Sequence, residues 1–299
     1  MTDSLRGVLV ALATPATTDG ALDEAALRAL VDRTIDGGVH GVVACGSTGE
    51  FTALTTDERR RVVEVVVDQT AGRVPVVAQT GGTSAAKAIA LTRHAEAAGV
   101  DVVMPVAPYY EPLTLDETRH YLRRVAGSVQ VPVMLYNLPH ATGVDLAPEV
   151  VAGLAREVPN IRYVKNTSPD MAQAARLIHE YGDLVGTFVG WDSLILSALV
   201  SGSAGVMAGT ANVVPAELVE VHDRVREGDL AAARAAWARV HPLLDAALST
   251  SYVAAVKAAM EAIGHSAGPV RDPLLPLGPA DAARIEQLAA VFRRQPAGV

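Results

Sequence analysis

Eight short apolar runs recur along the chain, and alanine-rich amphipathic stretches separate each from the next. The runs cover residues 7–13, 41–45, 75–79, 102–105, 132–136, 161–165, 184–189 and 205–208. They are close to continuously apolar rather than alternating, the pattern of parallel strands covered on both faces. Each parallel strand needs a crossover to reach its neighbour, and the intervening stretches are long enough to be helices. Eight strand–helix units predict an α/β protein with a closed (β/α)8 (TIM) barrel. An open doubly wound sheet is the alternative. It is disfavoured because Ala13-Thr14-Pro15 follows the first run, where a dinucleotide-binding sheet would carry Gly-x-Gly-x-x-Gly.

The stretches between the runs carry helix start and stop signals. Asp23 is placed to cap a helix through Leu27, Leu30 and Val31 that stops at Gly37-Gly38. Thr55 with Glu58, and Thr114 with Glu117, fit capping boxes. Gly99 ends a helix after Ala98, and Pro148 suits a first helical turn. Beyond Pro215 the pattern changes. Residues 216–226, 230–248, 251–263 and 279–292 read as helices with no strand between them. The expected organisation is a barrel over residues 1–225 and a C-terminal helical region over 226–299.

A net charge of −8 argues against a nucleic-acid or anionic-membrane partner, which would want a basic face. The single cysteine, Cys45, cannot form an internal disulfide. Residues 1–6 lack signal-peptide character, and no run approaches the length of a membrane span. The expectation is a cytoplasmic protein. The eight histidines are scattered without His-Glu-x-x-His, so no metal site is expected, and no Gly-x-Ser-x-Gly elbow is present.

Lysine occurs only at positions 87, 165 and 257. Lys87 and Lys257 fall on helical stretches, whereas Lys165 closes the apolar strand Ile161-Arg162-Tyr163-Val164-Lys165. In a barrel the C-terminal strand ends face the active site. Desolvation there favours a neutral amine, the nucleophile that attacks a ketone to form an imine. The bland alternative is a lysine that marks a strand end and pairs with a carboxylate. After the second run comes Cys45-Gly46-Ser47-Thr48-Gly49-Glu50, whose glycines and hydroxyls suit a small carboxylate, although an ordinary tight turn would use the same residues. Tyr136-Asn137-Leu138-Pro139 ends the fifth run and places a phenol able to relay a proton. Pro108-Tyr109-Tyr110 follows the fourth. Four such features at four different strand ends point to one site.

At these residues the sequence resembles the dihydrodipicolinate synthase / N-acetylneuraminate lyase family, over nearly the whole chain. The resemblance rests on Gly46-Ser47-Thr48-Gly49-Glu50, Tyr136-Asn137-x-Pro139, the strand-end Lys165, Thr210-Ala211-Asn212 and Pro273-Leu274-Leu275-Pro276-Leu277. It implies class I aldolase chemistry, in which Lys165 forms a Schiff base with pyruvate or another 2-keto acid. Tyr136 would be the general acid/base. Ser47 and Thr48 would hold the carboxylate, with Ser47 linking Tyr136 to Tyr110 of a neighbouring subunit. That arrangement implies a homodimer or homotetramer. Met207 would line the pocket beside the pyruvyl methyl group, and no metal or organic cofactor is implied.

Departures within the family bear on the substrate. The synthase subgroup carries an arginine two residues after the proline of Tyr-Asn-x-Pro, and Ala141 stands there. A guanidinium that would recruit a second carboxylate is therefore missing. Lys165-x-Thr167-Ser168 and Gly190-Trp191-Asp192 match the sialic acid lyases better, yet those enzymes carry an acid where Ser193 stands and a serine where Gly209 stands. Pro139-x-Ala141-Thr142-Gly143 is similar to the 2-keto-3-deoxy sugar-acid aldolases. The expectation is retro-aldol cleavage or dehydration of a hydroxylated 2-keto acid, with Thr167, Gly190 and Asp192 facing its hydroxyls; the alternatives are the synthase or sialic acid lyase activity within the family, or a barrel that binds a keto acid without turnover.

Overall fold

A computed structural model describes residues 5–293. Residues 1–4 of the N-terminal stretch considered above, and the last six residues, lie outside them. Eight parallel strands close into a barrel in chain order, with the last paired to the first. They are β1 (Gly7–Ala11), β2 (Gly41–Ala44), β3 (Val76–Gln79), β4 (Val102–Met104), β5 (Val133–Asn137), β6 (Ile161–Asn166), β7 (Gly186–Val189) and β8 (Gly205–Ala208). The outer helices are α1 (Glu24–Asp36), α2 (Thr56–Thr70), α3 (Ala85–Ala98), α4 (Leu115–Ala126), α5 (Pro139–Thr142), α6 (Pro148–Glu157), α7 (Met171–Tyr181), α8 (Ile195–Val200) and α9 (Pro215–Arg226). Then come α10 (Leu230–Leu248), α11 (Tyr252–Ala262) and α12 (Pro279–Ala290).

The local signals act as their chemistry dictates. The Asp23 side chain accepts from Ala26 N, and both capping boxes close reciprocally. Gly99 adopts a φ of 95° at the end of α3, a conformation that costs a residue with a Cβ. Two strands, β1 and β7, are shorter by two residues than the apolar runs suggest. Leu12 N still reaches Val43 O on the neighbouring β2, but Ala13 N is taken by Asn212 Oδ1, so β1 stops. Leu184 N and Val185 N turn back to Tyr181 O, which delays β7 to Gly186. Helix α5, a single turn opened by Pro139, was not anticipated.

The C-terminal helices share the barrel's core. Val240, Leu243 and Leu244 of α10, Val256 and Met260 of α11 and Ile285 of α12 are buried in the same apolar cluster as the strands. Each such side chain contributes about 1.5–3 kcal/mol when fully buried. These helices are therefore held firmly enough to carry side chains of the site. Among the described residues no helix is long and apolar enough to cross a membrane.

Candidate active site

The ladder between β5 and β6 sets Tyr136 opposite Lys165. Partners in a parallel ladder project to the same face, so register alone brings phenol and amine together. Lys165 Nζ donates to Tyr136 Oη at 3.2 Å and stands 4.3 Å from the ring centroid. Ser47 Oγ lies 3.2 Å from the same phenol oxygen. Amine, phenol and serine hydroxyl thus form one chain along which a proton can pass, and Lys165 and Tyr136 are both buried.

Behind this chain the backbone is locked. Asn137 Nδ2 donates to Asp145 Oδ1 and Asn166 Oδ1, and its Oδ1 accepts from Leu146 N. Asn212 ties β8 to β1 through Ala13 N, Ala11 O and Gly209 O. The turn bearing Ser47 and Thr48 folds through Gly49 N to Gly46 O and Glu50 N to Ser47 O, and Thr14 Oγ1 donates to Gly49 O. Glu50 ends it at a φ of 54° and reaches away from the mouth. Its carboxylate meets Lys257 Nζ of α11 at 2.5 Å and accepts from Arg271 N at 2.6 Å. Cys45 is no nucleophile here: burial pushes its thiol up to about 11.

A second polar group faces Lys165 from β7 and beyond. A Cβ on Gly190 would stand 2.5 Å from Lys165 Cε and 2.3 Å from Thr167 Oγ1, so both side chains lie against bare backbone. The Thr167 hydroxyl is buried and finds no partner within the protein. Asp192 is fully buried. Its Oδ2 accepts from Thr210 N at 3.2 Å, Thr210 Oγ1 at 2.5 Å and Tyr252 Oη at 2.6 Å. Burial raises its carboxyl above the usual 3.8, against the pull of those hydrogen bonds and of Lys165. Burial and the adjacent Asp192 push the Tyr252 phenol well above 10, so it remains a donor. A Cβ on Gly209 would sit 2.6 Å from both Thr48 Oγ1 and Tyr252 Oη, which places Thr48 in this cluster. Met207, opposite Leu9 in the ladder, is buried in the barrel.

Two expected residues stand apart within one protomer. Tyr110 is 86% exposed, while its neighbour Tyr109 packs edge-on against Phe51. Ala141 lies exposed on α5. Two residues to which sequence reasoning gave no role in the site come from beyond β8, namely Thr210, named only within the Thr210-Ala211-Asn212 motif, and Tyr252. The only legible signal for Tyr252 was an aromatic residue opening a helix after Ser251. Among the described residues, the one group with metal-ligand spacing is His40, His222 and Asp223, at the opposite end of the barrel.

The model of the dihydrodipicolinate synthetase family matches residues 4–291. The chain belongs to that family. Its members are pyruvate-dependent lyases and synthases that work through a Schiff base, and this chain is an enzyme of that kind. It is 39% identical over 271 residues to the 4-hydroxy-tetrahydrodipicolinate synthase of Methanopyrus kandleri, covering 90% of each chain. It is 40% identical over 291 residues to the protein of the same name from Sorangium cellulosum, covering 97% of this chain and 96% of that one. Among solved structures, YagE of E. coli K12, in complex with pyruvate, superposes with a TM-score of 0.92 at 31% identity, over 97% of this chain and 99% of that one. CdNal of Clostridium difficile, in complex with mannosamine, gives 0.90 at 26%, again over 97% and 99%.

Proposed function

We propose that this family member cleaves or dehydrates a hydroxylated 2-keto acid of the 2-keto-3-deoxy sugar-acid type, with pyruvate as the released or condensed partner in the aldol direction. The observation that carries this reading is the chemistry facing Lys165. It consists of the unpartnered hydroxyl of Thr167 and the carboxylate of Asp192, whose Oδ2 is held by three donors. A hydroxyl beside a carboxylate suits a polyol chain. A second substrate carboxylate would call for a guanidinium, and Ala141 supplies none.

In this reading Lys165 attacks the keto carbon and water leaves as the imine forms. Tyr136 takes the proton of the C4 hydroxyl as the C3–C4 bond breaks, and the electron pair moves into the protonated imine to give an enamine. Protonation of the enamine at C3 and hydrolysis release pyruvate. Ser47 and Thr48 hold the carboxylate, Met207 borders the methyl group, and Gly190 leaves room for Lys165. Tyr110, exposed within the chain, completes the proton relay through Ser47 of a second copy in this reading, so the enzyme would act as a homodimer or homotetramer. The barrel of residues 1–225 supplies the chemistry. The helical region of 226–299 buttresses it through Tyr252 and Lys257. The reading includes a cytoplasmic setting and needs no cofactor or metal.

Borohydride trapping with pyruvate, read by peptide mass spectrometry, tests the imine. A reduced adduct on the Lys165 peptide, absent in Lys165→Ala, is expected, and a folded protein with no adduct overturns the assignment. A coupled assay for pyruvate release from 2-keto-3-deoxygluconate then tests the substrate class. The names of the relatives favour a second reading, condensation of pyruvate with aspartate semialdehyde. Efficient turnover of that aldehyde, with none of the sugar acid, would establish it instead.

A further inference from the structure

At the barrel end remote from Lys165, a cavity of about 620 Å³ opens between the chain entering β1, the first residues of β6 and β7, the turn before β8 and the end of α9. Its charged lining among the described residues is Arg6, Arg162 and Arg226 against one carboxylate, Asp183. Arg162 and Arg226 alone outnumber that carboxylate, on a chain whose net charge is −8. Elsewhere Arg61, Arg119 and Arg176 each hold a carboxylate. Arg162 and Arg226 make no ion pair with any described residue. Thr187 and Ser203 line the same cavity, and neither hydroxyl has a hydrogen-bond partner. Ile178, Leu199 and Val200 give it an apolar side, with Val200 51% exposed.

The adjoining groove holds His40, His222 and Asp223, whose nitrogen and oxygen atoms lie within 4.8 Å of one another. A divalent metal is the first reading of such a trio, and the hydrogen bonding argues against it. His40 Nδ1 accepts from Val8 N at 3.2 Å, so the neutral ring carries its proton on Nε2 and has no lone pair left for a metal. Arg6 and Arg226 border the same groove together with the carboxylates of Asp223 and Glu227. The cavity itself favours an anion: Arg162 and Arg226 present fork-shaped donors matched to oxyanions, against the single carboxylate of Asp183.

We propose that this basal cavity binds a small organic anion, its carboxylate or phosphate head held by Arg162 and Arg226 and its apolar body lying against Ile178, Leu199 and Val200. The site is separate from the Schiff-base chemistry and does not depend on which substrate the mouth takes.

Calorimetric titration of the full chain with phenyl phosphate and with 3-phenylpropionate tests the site, with pyruvate saturating the mouth. At least one probe is expected to bind at submillimolar concentration. Affinity should fall about 10-fold in Arg162→Ala and in Arg226→Ala, the size of one lost charge-assisted contact. Which probe binds identifies the head group. Arg284→Ala removes the same charge from exposed α12 and should leave binding unchanged. Borohydride trapping at Lys165 checks that each variant keeps its barrel intact. No binding by either probe up to about 10 mM overturns the proposal. So does an equal loss in Arg284→Ala, which would mean diffuse attraction.

Discussion

Tyr252, the first residue of α11, donates its phenol to Asp192 at 2.6 Å, so a helix outside the eight strand–helix units orients a carboxylate at the barrel mouth. Together with Thr210 it engages Oδ2 and leaves Oδ1 as the oxygen open to a substrate hydroxyl. Tyr252→Phe keeps the ring and removes that donor. We expect KM for the sugar acid to rise about 10-fold, the usual size of a lost hydrogen bond to a charged group, with pyruvate trapping at Lys165 unchanged. The pH profile should move as well. The Tyr252 hydrogen bond lowers the Asp192 carboxyl, so its removal shifts the acid limb of kcat/KM to higher pH. Steady-state kinetics across pH reads both effects, and an equal loss of trapping would mean that Tyr252 acts on Lys165 instead.

Asp192 also predicts a conflict between stability and activity. Burial raises its folded-state pKa above the ordinary 3.8, so folding favours the protonated form. The sign follows: below 3.8 both folded and unfolded chains are protonated and there is no penalty, while the ionised carboxylate costs stability as pH rises through the raised value. Asp192→Asn removes that charge and keeps an acceptor for Tyr252 and Thr210. At pH 8 its melting temperature should exceed that of the wild type, by the equivalent of about 1 kcal/mol, and the gain should shrink toward acid pH. Activity on the hydroxylated substrate should fall. Thermal melts at several pH values decide the matter, and a gain that grows toward acid would be the wrong sign.

The barrel, the capping boxes and the strand-end Lys165 were legible because each is a local signal: apolar period, cap spacing, or one lysine on an apolar strand. The meeting of Tyr136 with Lys165 followed once the strands were placed, since adjacent strand ends in a barrel converge. Tyr252 was not legible, and Thr210 was legible only as a motif position without a role. Their partner Asp192 is 60 residues from Tyr252 and 18 from Thr210, and no period or spacing links them. The premature end of β1 was hidden for the same reason, since the group that takes Ala13 N is a side chain 199 residues away. Tyr110 and Ala141 were legible as motif positions, but their surroundings in a single protomer are solvent.

Gly190 tests how tightly Lys165 is confined. A methyl group there would meet Lys165 Cε at 2.5 Å and Thr167 Oγ1 at 2.3 Å, distances that require one side chain to move. Gly190→Ala should fold, because the contact is with side-chain atoms rather than backbone. We expect its rate of imine formation with pyruvate to fall about 100-fold, the scale of a misplacement near 1 Å. Time-resolved borohydride quenching measures this directly, and an unchanged trapping rate would show that Lys165 reaches the carbonyl by another path.

Lys257 and Glu50 form the most deeply buried ion pair found among the described residues, with side chains 4% and 1% exposed. Glu50 ends the turn that carries Ser47 and Thr48, and Lys257 sits on α11, which also carries Tyr252. Lys257 additionally donates to Pro269 O at 2.7 Å. Burial lowers the Lys257 pKa, and Glu50 opposes that shift. Removing one partner strands the other charge in the interior. Lys257→Met should therefore cost about 3–5 kcal/mol in urea unfolding. Glu50→Gln in the same chain should recover much of that loss, because the stranded carboxylate is gone while the amide oxygen can still accept from Arg271 N. If the pair were merely a surface-like contact, each single variant would lose under about 1 kcal/mol and the double variant would lose their sum.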